Sequence, residues 1–173
     1  MPGPVFLEGR RLTLRTLEPE DYEFVARHFT NPSMRHGGFE DIRNPITPKD
    51  IKQRIEEADD FHAFLAYREE TPVGSAYLID VDLEGRNAEL GYWITPDEQG
   101  NGYATEAAEL CLAHAFDELG LHKVWARTVE DNEGSKRVLE KLGFQQEGVL
   151  REHWLGYDRY VDEYRFGLLE SER

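Results

Sequence analysis

One stretch of the sequence decides the fold: Glu89-Leu-Gly-Tyr-Trp-Ile-Thr-Pro-Asp-Glu-Gln-Gly-Asn-Gly-Tyr-Ala-Thr-Glu106. Its first half predicts a strand that ends near Thr95, and a glycine-containing turn then opens a long helix. Gly100 and Gly102 allow backbone N–H groups to approach a ligand closely, at a helix N-terminus that attracts anions. A diphosphate would fit such a turn, although two glycines before a helix often mark only a change of direction. The spacing matches neither the P-loop nor the six-residue dinucleotide-binding pattern.

Seven strands are predicted around this stretch from period-two alternation and turn signals. They cover residues 11–16, 61–67, 73–81, 87–95, 124–129, 144–153 and 160–168. Helical periodicity predicts four helices, over residues 19–29, 51–58, 100–119 and 132–142. Thr47, with Asp50 three residues on, is the expected N-cap of the second. Acidic side chains of the third helix are expected to lie away from its apolar face: Glu106, Glu109, Asp117 and Glu118. Hairpins combined with a strand–helix–strand unit indicate one α+β domain over residues 1–173, with a mixed sheet.

The formal net charge is −15, from 35 acidic and 20 basic residues in a chain of 173. Such a surface repels the phosphates of nucleic acids and of anionic lipids, so neither a nucleic-acid nor a membrane partner is expected. It attracts cationic ligands and speeds their encounter with the protein. The surplus of carboxylates is typical either of a salt-loving source or of an ordinary acidic soluble protein, and composition leaves both open.

Cys111 is the only cysteine, which excludes an intrachain disulfide. Because it lies in an apolar helical pattern, we expect a small buried side chain rather than a reactive thiol. No apolar run reaches the ~18 residues that a membrane span needs, and residues 1–11 lack a signal-peptide core. A cytoplasmic protein is therefore expected. The six histidines and the many carboxylates show no metal-ligand spacing, so no metal is expected.

Two blocks of the sequence resemble the GCN5-related N-acetyltransferase (GNAT) superfamily. The first matches the acetyl-CoA-binding core Gln/Arg-x-x-Gly-x-Gly/Ala of that family through Gln99, Gly100, Gly102 and Ala104. The second block, residues 132–144, reads Asn-Glu-Gly-Ser-Lys-Arg-Val-Leu-Glu-Lys-Leu-Gly-Phe. It is similar to the family pattern Asn-x-x-Ser-x-x-Val-x-x-x-x-Gly-Phe, which follows the fifth strand of the family fold.

The resemblance covers nearly the whole chain, from about Arg10 to Leu169. Residues 89–94 and 162–169 look most like the RimJ/RimL branch, the ribosomal-protein N-terminal acetyltransferases and their relatives. The resemblance implies the GNAT fold: α+β (α/β in three layers), with a mixed, mostly antiparallel sheet of about seven strands and helices on both faces. It also implies an acetyl-CoA-dependent N-acetyltransferase.

In this family acetyl-CoA lies in a gap between two neighbouring strands, and its diphosphate rests on the glycine-containing turn. The resemblance therefore implies acetyl-CoA as co-substrate and the following binding residues: Tyr92, Trp93, Ile94, Gln99, Gly100, Asn101, Gly102, Tyr103, Ala104, Thr105, Asn132, Ser135, Lys136 and Arg137. Lys136 and Arg137 would offset the negative field near the diphosphate. A helix N-cap accounts for Asn132 as well as ligand contact does.

Glu89 is the candidate general base, because an amine is mostly protonated at neutral pH and must lose a proton to react. A surface carboxylate is the alternative interpretation. Many family members protonate the departing CoA thiolate from a tyrosine at a position that Leu139 occupies here, and leucine cannot donate. Ser135 is the candidate in its place, either directly or through water. An ordinary first-turn serine, with a thiolate that leaves without a proton, is the alternative.

The acceptor site is expected between two walls, which the resemblance assigns to Met34, Arg35, His36 and Phe39 and to Trp154 and Tyr157. The preferred acceptor is a protein N-terminal amine, as in the RimJ/RimL branch. A polyamine or an aminoglycoside is the alternative, and a non-catalytic acyl-CoA-binding module is the alternative from another class. An exposed edge of the last hairpin is where a homodimer would form.

Overall fold

The computed structural model describes residues 2–32, 45–58, 60–156 and 158–173. Its strands are β1 (Val5–Glu8), β2 (Thr13–Thr16), β3 (His62–Arg68), β4 (Thr71–Asp82), β5 (Asn87–Ile94), β6 (Lys123–Val129), β7 (Gln145–Leu155) and β8 (Tyr160–Leu169). Its helices are α1 (Tyr22–Thr30), α2 (Pro48–Glu57), α3 (Tyr103–Ala113) and α4 (Glu133–Lys141). No helix in these ranges is both long and apolar enough to cross a membrane.

The strands form one sheet in the order β1-β2-β3-β4-β5-β6-β8-β7, so that β1 and β7 are its edges. Neighbouring strands are antiparallel except β5 and β6, which run parallel. The parallel pairing covers Asn87–Glu89 against Lys123–Trp125, although β5 continues to Ile94 and β6 to Val129. The two strands therefore separate after Glu89, and this opening between β5 and β6 is called the gap below.

Helices cover both faces of the sheet. On one, the α3–α4 face, a core that includes Cys111 and Leu139 packs against the strands. On the other, the α1–α2 face, Ile51 packs in a second core with Trp93. Side chains of β5 alternate between these faces, with Ile94 in the first core and Trp93 in the second, as the period of two predicts. Cys111 is buried as expected, and burial raises the pKa of its thiol.

The predicted α+β architecture is confirmed, although several of its elements differ from their predicted bounds. The described ranges contain eight strands rather than about seven, because the short β1 shows too little alternation to be recognised. The predicted helix 100–119 begins at Tyr103 and ends in a π-helical turn, His114–Glu118. The helix predicted over 51–58 begins earlier, at Pro48, while its predicted N-cap is confirmed, since the side chain of Thr47 accepts a hydrogen bond from the N–H of Asp50.

The expectation that Glu106 lies away from the apolar face is wrong. Its side chain is only 4% exposed. Its Oε1 accepts hydrogen bonds from the N–H groups of Arg11 and Leu12, at 2.7 and 3.1 Å, and its Oε2 accepts one from Nε of Arg11 at 2.8 Å. The segment that leads into β2 crosses the first turn of α3 and brings these donors to Glu106. The three hydrogen bonds from Arg11 and Leu12 replace the water that a carboxylate loses when it is buried.

Candidate active site

The turn that leads into α3 has the geometry of an anion site. Gly100 and Gly102 have φ angles of +77° and +79°, in the left-handed region that glycine adopts without strain. Gln99 ties the turn to the end of β5, because its Nε2 donates to the carbonyl oxygen of Ile94 at 3.0 Å. Gly102 is the N-cap, and no side chain of the described residues caps α3. The first N–H groups of the helix therefore face a ligand or water.

The remaining predicted residues of this segment lie in or beside the same turn. Tyr103 is buried at the start of α3, and Ala104 and Thr105 are half-buried in its first turn. Asn101 is exposed, and its Nδ2 donates to the carbonyl oxygen of Glu98 at 3.1 Å. The structure brings these side chains together, while their contact with acetyl-CoA stays a prediction.

Arg11 contacts this turn from a distant segment of the chain, and the sequence did not predict the contact. Its Nη1 donates to the carbonyl oxygen of Asn101 at 2.8 Å, and its guanidinium lies 5.0 Å from the ring centroid of Tyr103. Arg68, at the end of β3, approaches from another side and pairs with Glu98 at 3.1 Å. Two cations therefore flank a turn that would hold a diphosphate. No local pattern marks Arg11, because it stands 90 positions before Asn101 in the sequence.

The two cations that were expected beside the diphosphate lie on α4. Nζ of Lys136 donates to the carbonyl oxygen of Glu130 at 2.7 Å and to Oε1 of Glu133 at 3.0 Å, so this chain's own acceptors already hold it. Arg137 is exposed. Arg11 and Arg68 are held by acceptors of this chain in the same way, through Glu106 and Glu98, so the role of Lys136 and Arg137 in offsetting the negative field at the turn stays a prediction.

Asn132, Ser135 and Tyr92 meet on the α3–α4 side of the gap. Oδ1 of Asn132 accepts a hydrogen bond from the N–H of Ser135 at 3.0 Å, which confirms the N-cap interpretation. Oγ of Ser135 lies 3.0 Å from the phenolic oxygen of Tyr92. Burial raises the pKa of Tyr92 to about 12, so its hydroxyl stays protonated. Leu139 is buried in the core, and this side of the gap therefore offers the hydroxyls of Ser135 and Tyr92 as proton donors.

Glu89 lies where β5 and β6 separate. Its neighbours Ala88 and Leu90 belong to the core on the α3–α4 face, so the alternation of the strand places Glu89 on the α1–α2 side of the gap. It is 5% exposed, so the surface-carboxylate interpretation is wrong. Its Oε1 accepts a hydrogen bond from Nε of Arg127 at 2.8 Å, whereas its Oε2 is buried and has no hydrogen-bond partner among the described residues. Burial raises the pKa of Glu89, and Arg127 opposes part of the rise. A buried carboxylate with one uncommitted oxygen and a raised pKa suits a proton acceptor.

The acceptor walls are described only in part. Trp154 donates from its Nε1 to Oε2 of the fully buried Glu163 at 2.6 Å, and the guanidinium of Arg127 lies 5.9 Å from its ring centroid. Trp154 therefore lies on the same side of the gap as Glu89, where an acceptor wall was expected. Five predicted wall residues lie outside the described residues: Met34, Arg35, His36, Phe39 and Tyr157.

The arrangement around the gap fits acetyl-CoA. The backbone of β5 beyond Glu89 has no strand partner on the β6 side within the described ranges, so it can pair with an extended pantetheine arm as an added strand would. The uncapped turn at Gly100–Gly102 can hold the diphosphate. Acetyl-CoA would supply the reactive thioester, and the protein's own groups lie on either side of it. In the described ranges, no cluster of three or more His, Cys, Asp or Glu residues is arranged to hold a metal ion.

The sequence matches a known family over most of its length. Residues 11–145 match the family model described as an acetyltransferase (GNAT) domain. The chain belongs to the GNAT family. This GNAT protein is accordingly an N-acetyltransferase, and its fold is the GNAT fold with an eight-stranded, mostly antiparallel sheet.

Individual relatives span nearly the whole GNAT chain. YdaF of Bacillus subtilis strain 168, which carries the provisional name of a ribosomal N-acetyltransferase, is 30% identical over 95% of this chain and 94% of its own. The spermidine N(1)-acetyltransferase of Vibrio cholerae serotype O1 is 28% identical over 94% of this chain and 95% of its own. A crystal structure of spermidine N-acetyltransferase from Vibrio cholerae with CoA and spermine matches with a TM-score of 0.86, at 26% identity, over 94% of this chain and 97% of that one.

Proposed function

We propose that this GNAT protein transfers the acetyl group of acetyl-CoA to a primary amine of a small polycation of the polyamine class. The observation that carries the proposal is the likeness in fold, over 94% of the chain, to the spermidine N-acetyltransferase that holds CoA and spermine. This proposal reverses the order of preference that the RimJ/RimL resemblance implied, in which a protein N-terminal amine came first.

The charge of the molecule supports a cationic acceptor. The net charge of −15 attracts polycations at distances up to about the Debye length, and this attraction would raise the rate at which they bind to the protein. Beside the gap, Asp80 and Glu163 add to the negative charge that acts on Glu89, while Arg127 and Arg165 pair with Glu89 and Glu163 and offset part of it. The support for a cationic acceptor therefore comes from the charge of the whole molecule.

The groups on the two sides of the gap divide the proton transfers between them. Glu89 would accept the proton that the amine loses as its nitrogen bonds to the acetyl carbon. The thioester carbon–sulfur bond breaks, and Ser135 or Tyr92, on the opposite face, would donate a proton to the departing thiolate. The proton donor and the proton acceptor therefore lie on opposite faces of one sheet. This arrangement suits acetyl-CoA and an amine substrate that approach the gap from opposite sides.

A protein N-terminal amine is the second candidate acceptor. It is supported by the resemblance of residues 89–94 and 162–169 to the RimJ/RimL branch and by the likeness to YdaF. It predicts turnover on peptides that begin with a free α-amine and none on polyamines.

A CoA-release assay with a panel of amines tests the proposal. Acetyl-CoA is held at saturation, and spermidine, spermine, an aminoglycoside and a set of N-terminal peptides are compared at equal concentration, with mass spectrometry of the products. The proposal predicts saturable release with a polyamine and an N-acetylated polyamine as product. Turnover confined to peptides would support the second candidate, and saturable CoA binding without turnover on any amine would support a non-catalytic acyl-CoA-binding module.

A further inference from the structure

Two ion pairs lie side by side on the α1–α2 face. Arg127 of β6 pairs with Glu89 at 2.8 Å, and Arg165 of β8 pairs with Glu163 at 2.7 Å. The two arginines are direct cross-strand partners in the β6–β8 register. Like charges in that position repel each other, so each arginine needs a carboxylate of its own. The two pairs are alike in chemistry, but only one of them lies at the gap.

The two oxygens of Glu89 have different surroundings. Oε1 accepts the hydrogen bond from Arg127, while Oε2 is buried and unpartnered within the described parts of the chain. A buried carboxylate oxygen without a partner lowers stability, because it has lost its hydration and gained nothing in return. Glu163 differs, since its oxygens accept hydrogen bonds from Arg165 and from Trp154. The unpartnered oxygen therefore distinguishes the pair at the gap from its neighbour.

We propose that Arg127 is a positioning residue for acetyl transfer: it holds Oε1 of Glu89 and leaves Oε2 as the atom that takes the proton of the acceptor amine. This inference rests on the proposed function, because it presupposes that Glu89 is the base. In the step concerned, the amine nitrogen bonds to the acetyl carbon, the thioester carbon–sulfur bond breaks and the amine proton passes to Oε2. Arg127 touches none of the reacting atoms.

Arg127 also sets the charge state of Glu89. Charged groups face Glu89 from three strands: Asp80 of β4, Arg127 of β6 and Glu163 of β8. Burial and the two carboxylates raise the pKa of Glu89, and Arg127 lowers it. Arg127 thus favours the ionised form of Glu89, which is the form that can accept a proton. Its own position is fixed from the side by Trp154, over which its guanidinium lies.

The test compares Arg127→Gln with the matched control Arg165→Gln. Each substitution removes one arginine of the cross-strand pair and its ion pair with a buried carboxylate, although Glu163 keeps the hydrogen bond from Trp154. The titration of Glu89 is followed by carbon-13 NMR of the glutamate carboxyls, assigned with Glu89→Gln, and by the acidic limb of kcat/KM against pH. We expect Arg127→Gln to move the titration midpoint of Glu89 and the acidic limb of kcat/KM to higher pH by about one unit or more. A shift of this size is what an adjacent opposite charge imposes on the pKa of a carboxyl group. Arg165→Gln is expected to move the Glu89 titration and the acidic limb by less, because it removes no hydrogen bond to Glu89 and acts only through Glu163.

The outcomes separate this inference from the proposed function. If the titration of Glu89 moves no further in Arg127→Gln than in Arg165→Gln, the inference is overturned, whatever the activity. If Glu89→Gln retains full turnover, the proposed base is wrong. Arg127→Lys covers the case in which Arg127→Gln does not fold, because it keeps the charge but loses the planar fork. It is expected to keep the titration of Glu89 and to lower kcat, and an unchanged kcat would contradict a positioning role.

Discussion

The phenolic oxygen of Tyr92 lies 3.0 Å from Oγ of Ser135 and 3.2 Å from the carbonyl oxygen of the same residue. This contact joins β5 to the first turn of α4 on the α3–α4 side of the gap. Leu139 occupies the position of the tyrosine that many family members use, and it is buried in the core. The hydroxyl groups of Ser135 and Tyr92 are therefore the candidates to supply the proton instead. Because burial raises the pKa of Tyr92 to about 12, the phenol is protonated at neutral pH and can act as a donor.

Ser135→Ala and Tyr92→Phe are each expected to lower kcat by roughly tenfold, about 1.4 kcal/mol in activation free energy. The reason is the loss of one member of the hydroxyl pair that protonates the thiolate, so KM for acetyl-CoA should change less than kcat. The double variant should be little worse than either single one, because residues that act as one unit are not additive. Steady-state CoA release measures all three. Parental kcat in both single variants would show that the thiolate leaves without their proton.

The glycines before α3 are expected to control CoA affinity through their backbone conformation. Gly100→Ala meets nothing within 4 Å, and Gly102→Ala meets Nη2 of Arg11 at 3.3 Å, yet both positions have a left-handed φ. Alanine in that region costs about 1–2 kcal/mol, so each variant should raise the dissociation constant for CoA by roughly fivefold or more as the turn relaxes. Titration calorimetry measures the constant. Gly148→Ala, which also has open space but no left-handed φ, is the control, and an equal loss of affinity there would contradict the expectation.

Glu106→Gln is expected to destabilise the fold and to remove part of its acid sensitivity. Although burial disfavours the charge, the hydrogen bonds from Arg11 and Leu12 leave the pKa of Glu106 below its ordinary value. The carboxylate therefore contributes stability above the unfolded pKa of about 4.3, and this contribution is lost as the pH falls through the folded value. At pH 7 we expect a loss of roughly 1–3 kcal/mol in the free energy of unfolding, the worth of hydrogen bonds to a charged group.

Urea unfolding across the acid range measures this effect. The exposed Glu109→Gln, one turn along the same helix, serves as the control. The difference between Glu106→Gln and the parent chain should shrink as the pH falls below about 4. A constant difference at every pH would mean that the packing of Glu106, rather than its charge, stabilises the contact with Arg11.

His28 is expected to lower the stability of the fold in mild acid. It stacks on Trp93 with ring centroids 3.6 Å apart, and burial lowers its pKa to about 4. The unfolded chain therefore binds this proton more tightly than the folded one, and stability is lost as the pH falls from about 6.5. The loss by pH 4 is on the order of 2–3 kcal/mol. Thermal unfolding between these pH values should show a flatter dependence in His28→Gln than in the exposed control His122→Gln, and equal slopes would contradict the assignment.

Local patterns predict the parts of the site that depend on neighbours in the sequence. The period of two places Glu89 and Trp93 on one face of β5 and Ile94 on the other, and the structure agrees. The Asn-x-x-Ser spacing predicts an N-cap, and Asn132 forms one. In each case the interaction that fixes the residue lies within a few positions of it, so the sequence carries the signal.

Contacts between distant segments escape such patterns. Glu106 looks like the exposed side of an amphipathic helix, and its burial depends on Arg11, 95 positions earlier. The pairing of Glu89 with Arg127 crosses 38 positions and follows from the register of β5 with β6, which no local spacing encodes. Both misses concern charged residues that are buried because a partner from another element satisfies them. Hydrophobic periodicity assigns such residues to the surface by default.

The most direct measurement of the central claim is the kcat of Glu89→Gln with the best polyamine acceptor at saturating acetyl-CoA. The exposed Glu84→Gln, in the turn between β4 and β5, serves as the control. If Glu89 accepts the proton of the amine at the gap, kcat falls more than about tenfold in Glu89→Gln and stays at the parental value in the control. Unchanged turnover of Glu89→Gln across the pH range would contradict acetyl transfer with Glu89 as its base.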